Sequence, residues 1–406
     1  MKKIKIKYIV AGALLVGTLV DNANAIPSFA RQTGFNCAVC HTTFPELTQV
    51  GRDFKLNGYV MGGGKNSLVS KLSAMVQLGE TNTKVSQTSD KAITFEQASI
   101  FFGGKIYKNI GAFTQFTYDG ADSTDSAFGI DLLDIRYANH TKVNGKNLVY
   151  GVTINNNLGV QDLWNNTGAW RYPYAGGLAI GSTLFDPDMA PPMGGIGVYG
   201  MWNDLIYTEI GAYKGSKGSG FMQFFSWNTK SWIASDPIVD KVSPYIRVAI
   251  QHNFGANYIM FGGFGFKTKI NPDPTAGSTL DEYKDHALDA EWQYNNGNNL
   301  ITVTASKIWE TQTLNASNPG TVQTSDTTNA KISYYYNHKY GATFNYMTSK
   351  NSDTTNNATG ATYEFDYLPV KKIRLSLQYN TYSKFGGTST NASDNNNIYL
   401  NAWLMF

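Results

Sequence analysis

From about residue 71 to the C-terminus the chain alternates apolar and polar residues with a period of two, and this constrains the fold more than any other feature. Ile398, Leu400, Ala402, Leu404 and Phe406 alternate with Tyr399, Asn401, Trp403 and Met405. The same rhythm runs through residues 373–380, 362–367 and 288–294, where Asp289, Glu291, Glu364 and Asp366 fall on the polar side. Successive strand residues point to opposite faces, so the pattern predicts strands with one apolar and one charged or amide-bearing face. A soluble sandwich would bury the apolar faces, whereas a transmembrane barrel turns them to lipid and lines its lumen with the polar ones.

Three features predict the barrel. Strand-like segments run for about ten residues, enough to cross a bilayer at a tilt. Aromatic residues cluster at segment ends, as interfacial girdles do. Connections alternate between short and long. Tight turns are expected at Lys108-Asn109, Asn203-Asp204, Asn295 to Asn299, Asn337 to Lys339 and Leu368 to Lys371. Long loops are expected at Glu80 to Lys91, Asp119 to Ala127, 157–194, 214–243 and 310–327. The expected fold is therefore all-β, an outer-membrane barrel of about sixteen antiparallel strands over residues 71–406, ending on Phe406. Short turns and the N-terminus would face the periplasm, long loops the outside. A disordered, Asn/Thr-rich secreted chain is the competing reading, and the regular alternation argues against it.

Residues 1–25 read as a signal peptide. Lys2, Lys3, Lys5 and Lys7 precede an apolar run from Tyr8 to Val20 and a small-residue site, Ala23-Asn24-Ala25. The run is too short for a transmembrane helix. These lysines and Asp21 account for the whole formal charge of +3, so the mature chain is balanced and nucleic acid is excluded as a partner.

Residues 26–70 are different in kind. The chain's only cysteines lie in Cys37-Ala-Val-Cys40-His41, a C-x-x-C-H attachment sequence for c-type haem. Cys37 and Cys40 would form thioethers to the haem vinyl groups, and His41 would be the proximal iron ligand. A thioredoxin-like dithiol would need a βαβ context, which is absent here. Phe44-Pro45-Glu46 opens a short helix on which Leu47, Val50 and Phe54 recur at helical spacing, with Arg52 and Lys55 on the other side and Gly58 as the stop. Arg52 and Lys55 are candidates for the haem propionates, or simply a solvated helix face. The segment is too small to bury a haem alone, so the expectation is a haem plug at the periplasmic mouth or inside the barrel. For the distal ligand Met61 is the nearest candidate, then Met75 on the lumen side of the first strand, then Met193 in a long loop. His140, His252 and His338 map to turns and His286 to the outer rim, and an open or water-bound site is also allowed. The lumen carboxylates Asp289, Glu291, Glu364 and Asp366 could attract hard cations transiently, although a polar porin wall needs no such role.

Ile26-Pro-Ser-Phe-Ala-Arg-Gln-Thr-Gly34, the haem motif, Phe44-Pro45-x-Leu47 and Gly51-Arg52-x-Phe54-Lys55-x-x-Gly58-Tyr59 together resemble the monohaem cytochrome–porin fusions of iron-oxidising bacteria. The specific match covers roughly residues 26–61, the barrel matching in architecture only. The resemblance implies one covalent haem c and iron-oxidase chemistry. Electrons from extracellular Fe(II) would pass to a periplasmic cytochrome or other soluble carrier, from a chain embedded in outer-membrane lipid. A porin with a haem plug or redox gate, and outward electron transfer, are the alternatives. No triad, phosphate loop or zinc motif is present; Gly194-Gly195-Ile196-Gly197 lacks the following helix that dinucleotide binding needs.

Overall fold

The computed structural model describes residues 27–35, 37–42, 44–61, 67–84, 93–119, 128–165, 170, 172–176, 180, 183–185, 193–215, 237–370 and 372–406. The expected signal peptide, 1–25, lies outside the described residues. Among the described residues seventeen strands belong to one antiparallel sheet, and sixteen of them close into a barrel through pairing of the first with the last, β1 (Leu72–Thr83) with β17 (Asn397–Met405). The extra one, β8 (Ile238–Val239), pairs with the end of β10 (Asn257–Asn271). No described helix is long and apolar enough to cross a membrane.

The alternation maps onto the two faces of the wall. Along β15 (Ala358–Val370), Tyr363, Phe365 and Tyr367 are exposed on the outside, and Thr362, Glu364 and Asp366 are buried inside. Along β11 (Asp281–Asn295), Leu288 is 62% exposed while Asp289 and Glu291 are 5% and 3% exposed. A closed barrel that is apolar outside and polar inside is built for a bilayer. Aromatic side chains ring both rims: Tyr340 stacks on Tyr367 at 5.5 Å near the tight turns, and Phe95 meets Tyr118 at 6.0 Å near the long loops.

Tight turns gather at one end. Asn203-Asp204 and Asn337-His338 take positive φ at both central residues, the twist-matched hairpin geometry that asparagine and aspartate tolerate. Two further tight turns, Asn144-Gly145 and Gly255-Ala256, join β4 (Phe128–Val143) to β5 (Lys146–Asn155) and β9 (Ser243–Phe254) to β10. Three expected connections are shorter than read: Glu80 to Thr83, expected in a loop, belong to β1. β15 continues through Leu368 to Val370, so those residues are strand. Residues 310–314 and 321–327 are also strand, in β12 (Asn299–Leu314) and β13 (Thr321–Tyr336). There the hairpin is polar on both faces, which erases the alternation that would have revealed it.

The helical segment packs against lumen-facing residues. α1 (Pro27–Thr33) lies on β2 (Thr94–Tyr107), where Gly103 leaves room: a Cβ there would sit 2.7 Å from Phe29 Cε1. Gln32 Nε2 donates to the Gly103 carbonyl at 2.7 Å. α2 (Cys37–Cys40) and α3 (Gln49–Leu56) follow. The segment between β5 and β6 (Met193–Trp202), expected as an external loop, also turns inward: Leu158, Val160, Leu163 and Trp164 are at most 1% exposed. That cluster is too apolar for water, and the lumen is the place left to bury it.

Candidate functional site

The turn carrying Cys40 and His41 is closed by local bonds. Thr48 N–H donates to the Cys40 carbonyl at 2.9 Å, and Thr42 N–H to the Glu46 carbonyl at 3.2 Å. Thr48 also caps α3, its Oγ1 accepting from Gly51 N–H at 3.3 Å and donating to the Val39 carbonyl at 2.5 Å. Gly51 lets α3 touch the turn: a Cβ there would fall 2.2 Å from the Cys40 carbonyl oxygen.

His41 and Cys40 line a cavity of about 320 Å³ inside the barrel, within the size range of cofactor sites. Three parts of the chain build its walls. The helical segment supplies Phe29, Phe44 and Phe54, the barrel Phe101, Phe113 and Trp403, and the inward segment Trp170 and Tyr174. Phe44 meets Trp403 edge to face at 4.8 Å, and Phe29 meets Phe54 likewise at 4.8 Å. The Cys37 side chain lies outside the described part.

Enclosure pushes the His41 imidazole down to about 4, desolvation outweighing its bond to the Pro45 carbonyl. The ring is therefore neutral at physiological pH. A carbonyl only accepts, so Nδ1 carries the proton across the 3.3 Å to the Pro45 oxygen, and Nε2 keeps its lone pair. That is how an iron-ligating histidine is usually oriented. Asn165 Nδ2 donates to the same carbonyl at 3.1 Å.

The polar face of α3 is not solvated, contrary to one sequence expectation. Arg52 and Lys55 are 2% and 4% exposed. Arg52 reaches the wall, its guanidinium 3.6 Å from the Tyr258 ring centroid and its Nη1 2.6 Å from the Leu47 carbonyl. Lys55 Nζ donates to the Asp162 carbonyl at 2.5 Å and to Asn165 Oδ1 at 2.7 Å. Burial, and next the Arg136 charge, push the Lys55 ammonium down to about 7. Lys55 lines the cavity; Arg52 is not among its lining residues.

Of the sulfur candidates, Met75 lines the cavity and is 4% exposed. Met61 packs against the same aromatic cluster without lining the cavity. Met193, expected in a loop, is the first residue of β6 and packs with Leu158 and Phe185 in a separate cluster. His140, His252 and His286 sit on strands with exposed side chains, and His338 occupies a tight turn. Three of the four lumen carboxylates are held by arginines, Asp289 by Arg247 at 2.7 Å, Glu364 and Asp366 by Arg374 at 2.7 and 2.9 Å, while Glu291 accepts from Gln293 Nε2. Trp170, Tyr174 and Asn165 were missed in the sequence because a loop between strands gives no sign of folding inward.

Fold and lumen together define the class: a sixteen-stranded barrel of the outer-membrane porin type. No family model matches the chain, and no curated protein does. Among solved structures it resembles the outer membrane channel DcaP of Acinetobacter baumannii, at 13% identity and a TM-score of 0.50 over 82% of this chain and 96% of that one. Salmonella typhi OmpF in complex with daunomycin aligns at 13% identity and TM-score 0.49, over 82% and 97%. An anion-selective porin from Comamonas acidovorans aligns at 12% and 0.46, over 82% and 98%.

Proposed function

We propose that the chain is an outer-membrane c-type cytochrome that takes single electrons from extracellular Fe(II), leaving Fe(III), and delivers them to a periplasmic carrier. The observation that carries this reading is the orientation of His41, a neutral imidazole with its Nδ1 proton held by Pro45, opening into an aromatic cavity beside Cys40. Bound there, a haem c would supply the one-electron iron couple. Cys37 and Cys40 would attach it and His41 would ligate its iron; the aromatic walls exclude water and lower the local dielectric. The helical segment would thus be the haem plug, its apolar wall completed by the barrel and the inward segment. Lys55, which lines the cavity, is the cation placed to meet a propionate; Arg52, whose Nη1 bonds the Leu47 carbonyl and Gln293, is not among the lining residues. The donor rests on the resemblance of residues 26–61 to the cytochrome–porin fusions.

Anaerobic mixing of purified, haem-loaded protein with Fe(II) near neutral pH tests this. Rapid reduction, followed in the haem absorption bands and absent from His41→Ala, is expected. A haem that forms and stays oxidised would overturn the Fe(II) assignment and favour another donor or outward current.

The porin fold itself favours a second reading, a solute channel gated by its helical segment. Steady solute flux through the wild-type chain in planar bilayers would support it over a filled electron-transfer conduit.

A further inference from the structure

We propose that Met75 Sδ is the second axial ligand of the haem iron, so that the iron sits between an imidazole of the helical segment and a thioether of the barrel wall. This rests on the haem reading above. Met75 faces inward on β1, is almost wholly buried, and lines the same cavity as His41.

The other sulfur, amine and glutamine donors at that cavity fit less well. Met405 is the nearest competitor, because it is the cross-strand partner of Met75. It is only half-buried, whereas Met75 is almost wholly enclosed, so Met405 is the less shielded of the two sulfurs. Lys55 would have to lose a proton and give up its bonds to Asp162 and Asn165. Gln77, Gln97 and Gln115 offer amide oxygens, harder donors than haem iron selects. Met75 needs neither deprotonation nor the loss of a strong bond, since its sulfur receives only a 3.8 Å contact from Gln77 Nε2. An imidazole and a thioether bring no charge into the lumen, and a thioether raises the iron potential, which favours reduction by Fe(II). The bond would also join the helical segment to β1, so haem loading and docking of that segment become one event.

The test uses full-length, haem-loaded protein. X-ray absorption at the iron edge of the wild type should show one sulfur and five nitrogen neighbours, with a low-spin ferric spectrum. Met75→Leu should lose the sulfur shell, turn high-spin or water-ligated, and fall in midpoint potential. Met75→His should restore the low-spin state with a sixth nitrogen in place of sulfur. Met61→Leu and Met405→Leu should leave the spectra unchanged. A wild type without sulfur at iron overturns the proposal whether or not any variant folds. So does an unchanged Met75→Leu spectrum, or loss of the sulfur in Met405→Leu instead. A folded barrel carrying no haem would overturn the functional reading as well, and the haem content separates the two failures.

Discussion

Glu46 and Lys331 offer a quantitative test of how the helical segment is held. Glu46 lies between the C-x-x-C-H turn and α3, Lys331 on the lumen face of β13, and the two are ion-paired with side chains only 1% and 2% exposed. Tyr174 OH donates to the same carboxylate at 2.8 Å, and the Lys331 ammonium stands 5.5 Å from the Tyr172 ring centroid. Replacing Lys331 by methionine keeps the volume but strands the carboxylate in a dry lumen, at a cost of about 3–5 kcal/mol. Because undocking hydrates Glu46, that cost shifts the docking equilibrium by roughly two to three and a half decades. Glu46→Gln in the Lys331→Met background should recover most of it, since the amide still accepts from Tyr174 and no charge stays buried. Trypsin is a convenient probe, because Arg52 and Lys55 are buried in the docked state. In lipid-reconstituted protein, cleavage there follows the undocked population when docking is fast. Lys331→Met should be cut at least a hundredfold faster than wild type, by the same arithmetic, and the double variant close to the wild-type rate. Equal rates for Lys331→Met and wild type, or a double variant as fast as the single, would refute the buried-pair reasoning.

Other perturbations separate the parts. Gly51→Ala places a Cβ on the Cys40 carbonyl, so it should displace α3 from the haem motif and lower haem loading severalfold on a denaturing, haem-stained gel, while the barrel still shows heat-modifiable migration. Lys55, lowered to about 7 from an ordinary 10.5, binds fewer protons docked than undocked between those values. Docking should therefore strengthen as pH rises through that window and level off at its weakest below about 7, and Lys55→Met should abolish the slope in the trypsin assay. Phe365→Arg puts a charge on the lipid face of β15, where the side chain is 62% exposed, and should cost about 2–4 kcal/mol of folding in vesicles if it lies near the midplane. Phe365→Leu should cost far less by the same assay.

Barrel architecture was legible in the sequence because lipid and lumen impose a strict two-residue rhythm on every buried crossing. Tyr363, Phe365 and Tyr367 against Thr362, Glu364 and Asp366 show it plainly. The rhythm fades where strands leave the apolar band, which is why residues 310–314 and 321–327 read as loop. His41 and Cys40 stood out in the sequence as part of a C-x-x-C-H pattern, and the structure adds what surrounds them. The burial of Arg52 and Lys55 was not legible, since a charged helix face looks the same whether it meets water or a polar barrel wall. Nor was the inward course of the described residues between 157 and 185. Its Leu158, Leu163 and Trp164 carried an apolar signal, but the position between two strands suggested an exposed loop. Met75 stood on the correct face from periodicity alone; that it shares a cavity with His41 is a long-range fact that no local pattern records.

Covalent haem content tests the central claim most directly. The full chain, expressed with a haem-attachment system and purified as a folded barrel, should carry one haem per polypeptide through denaturation, and Cys37→Ala or His41→Ala barrels should carry little or none. Folded wild-type barrel without covalent haem, or undiminished haem in both variants, would contradict the account.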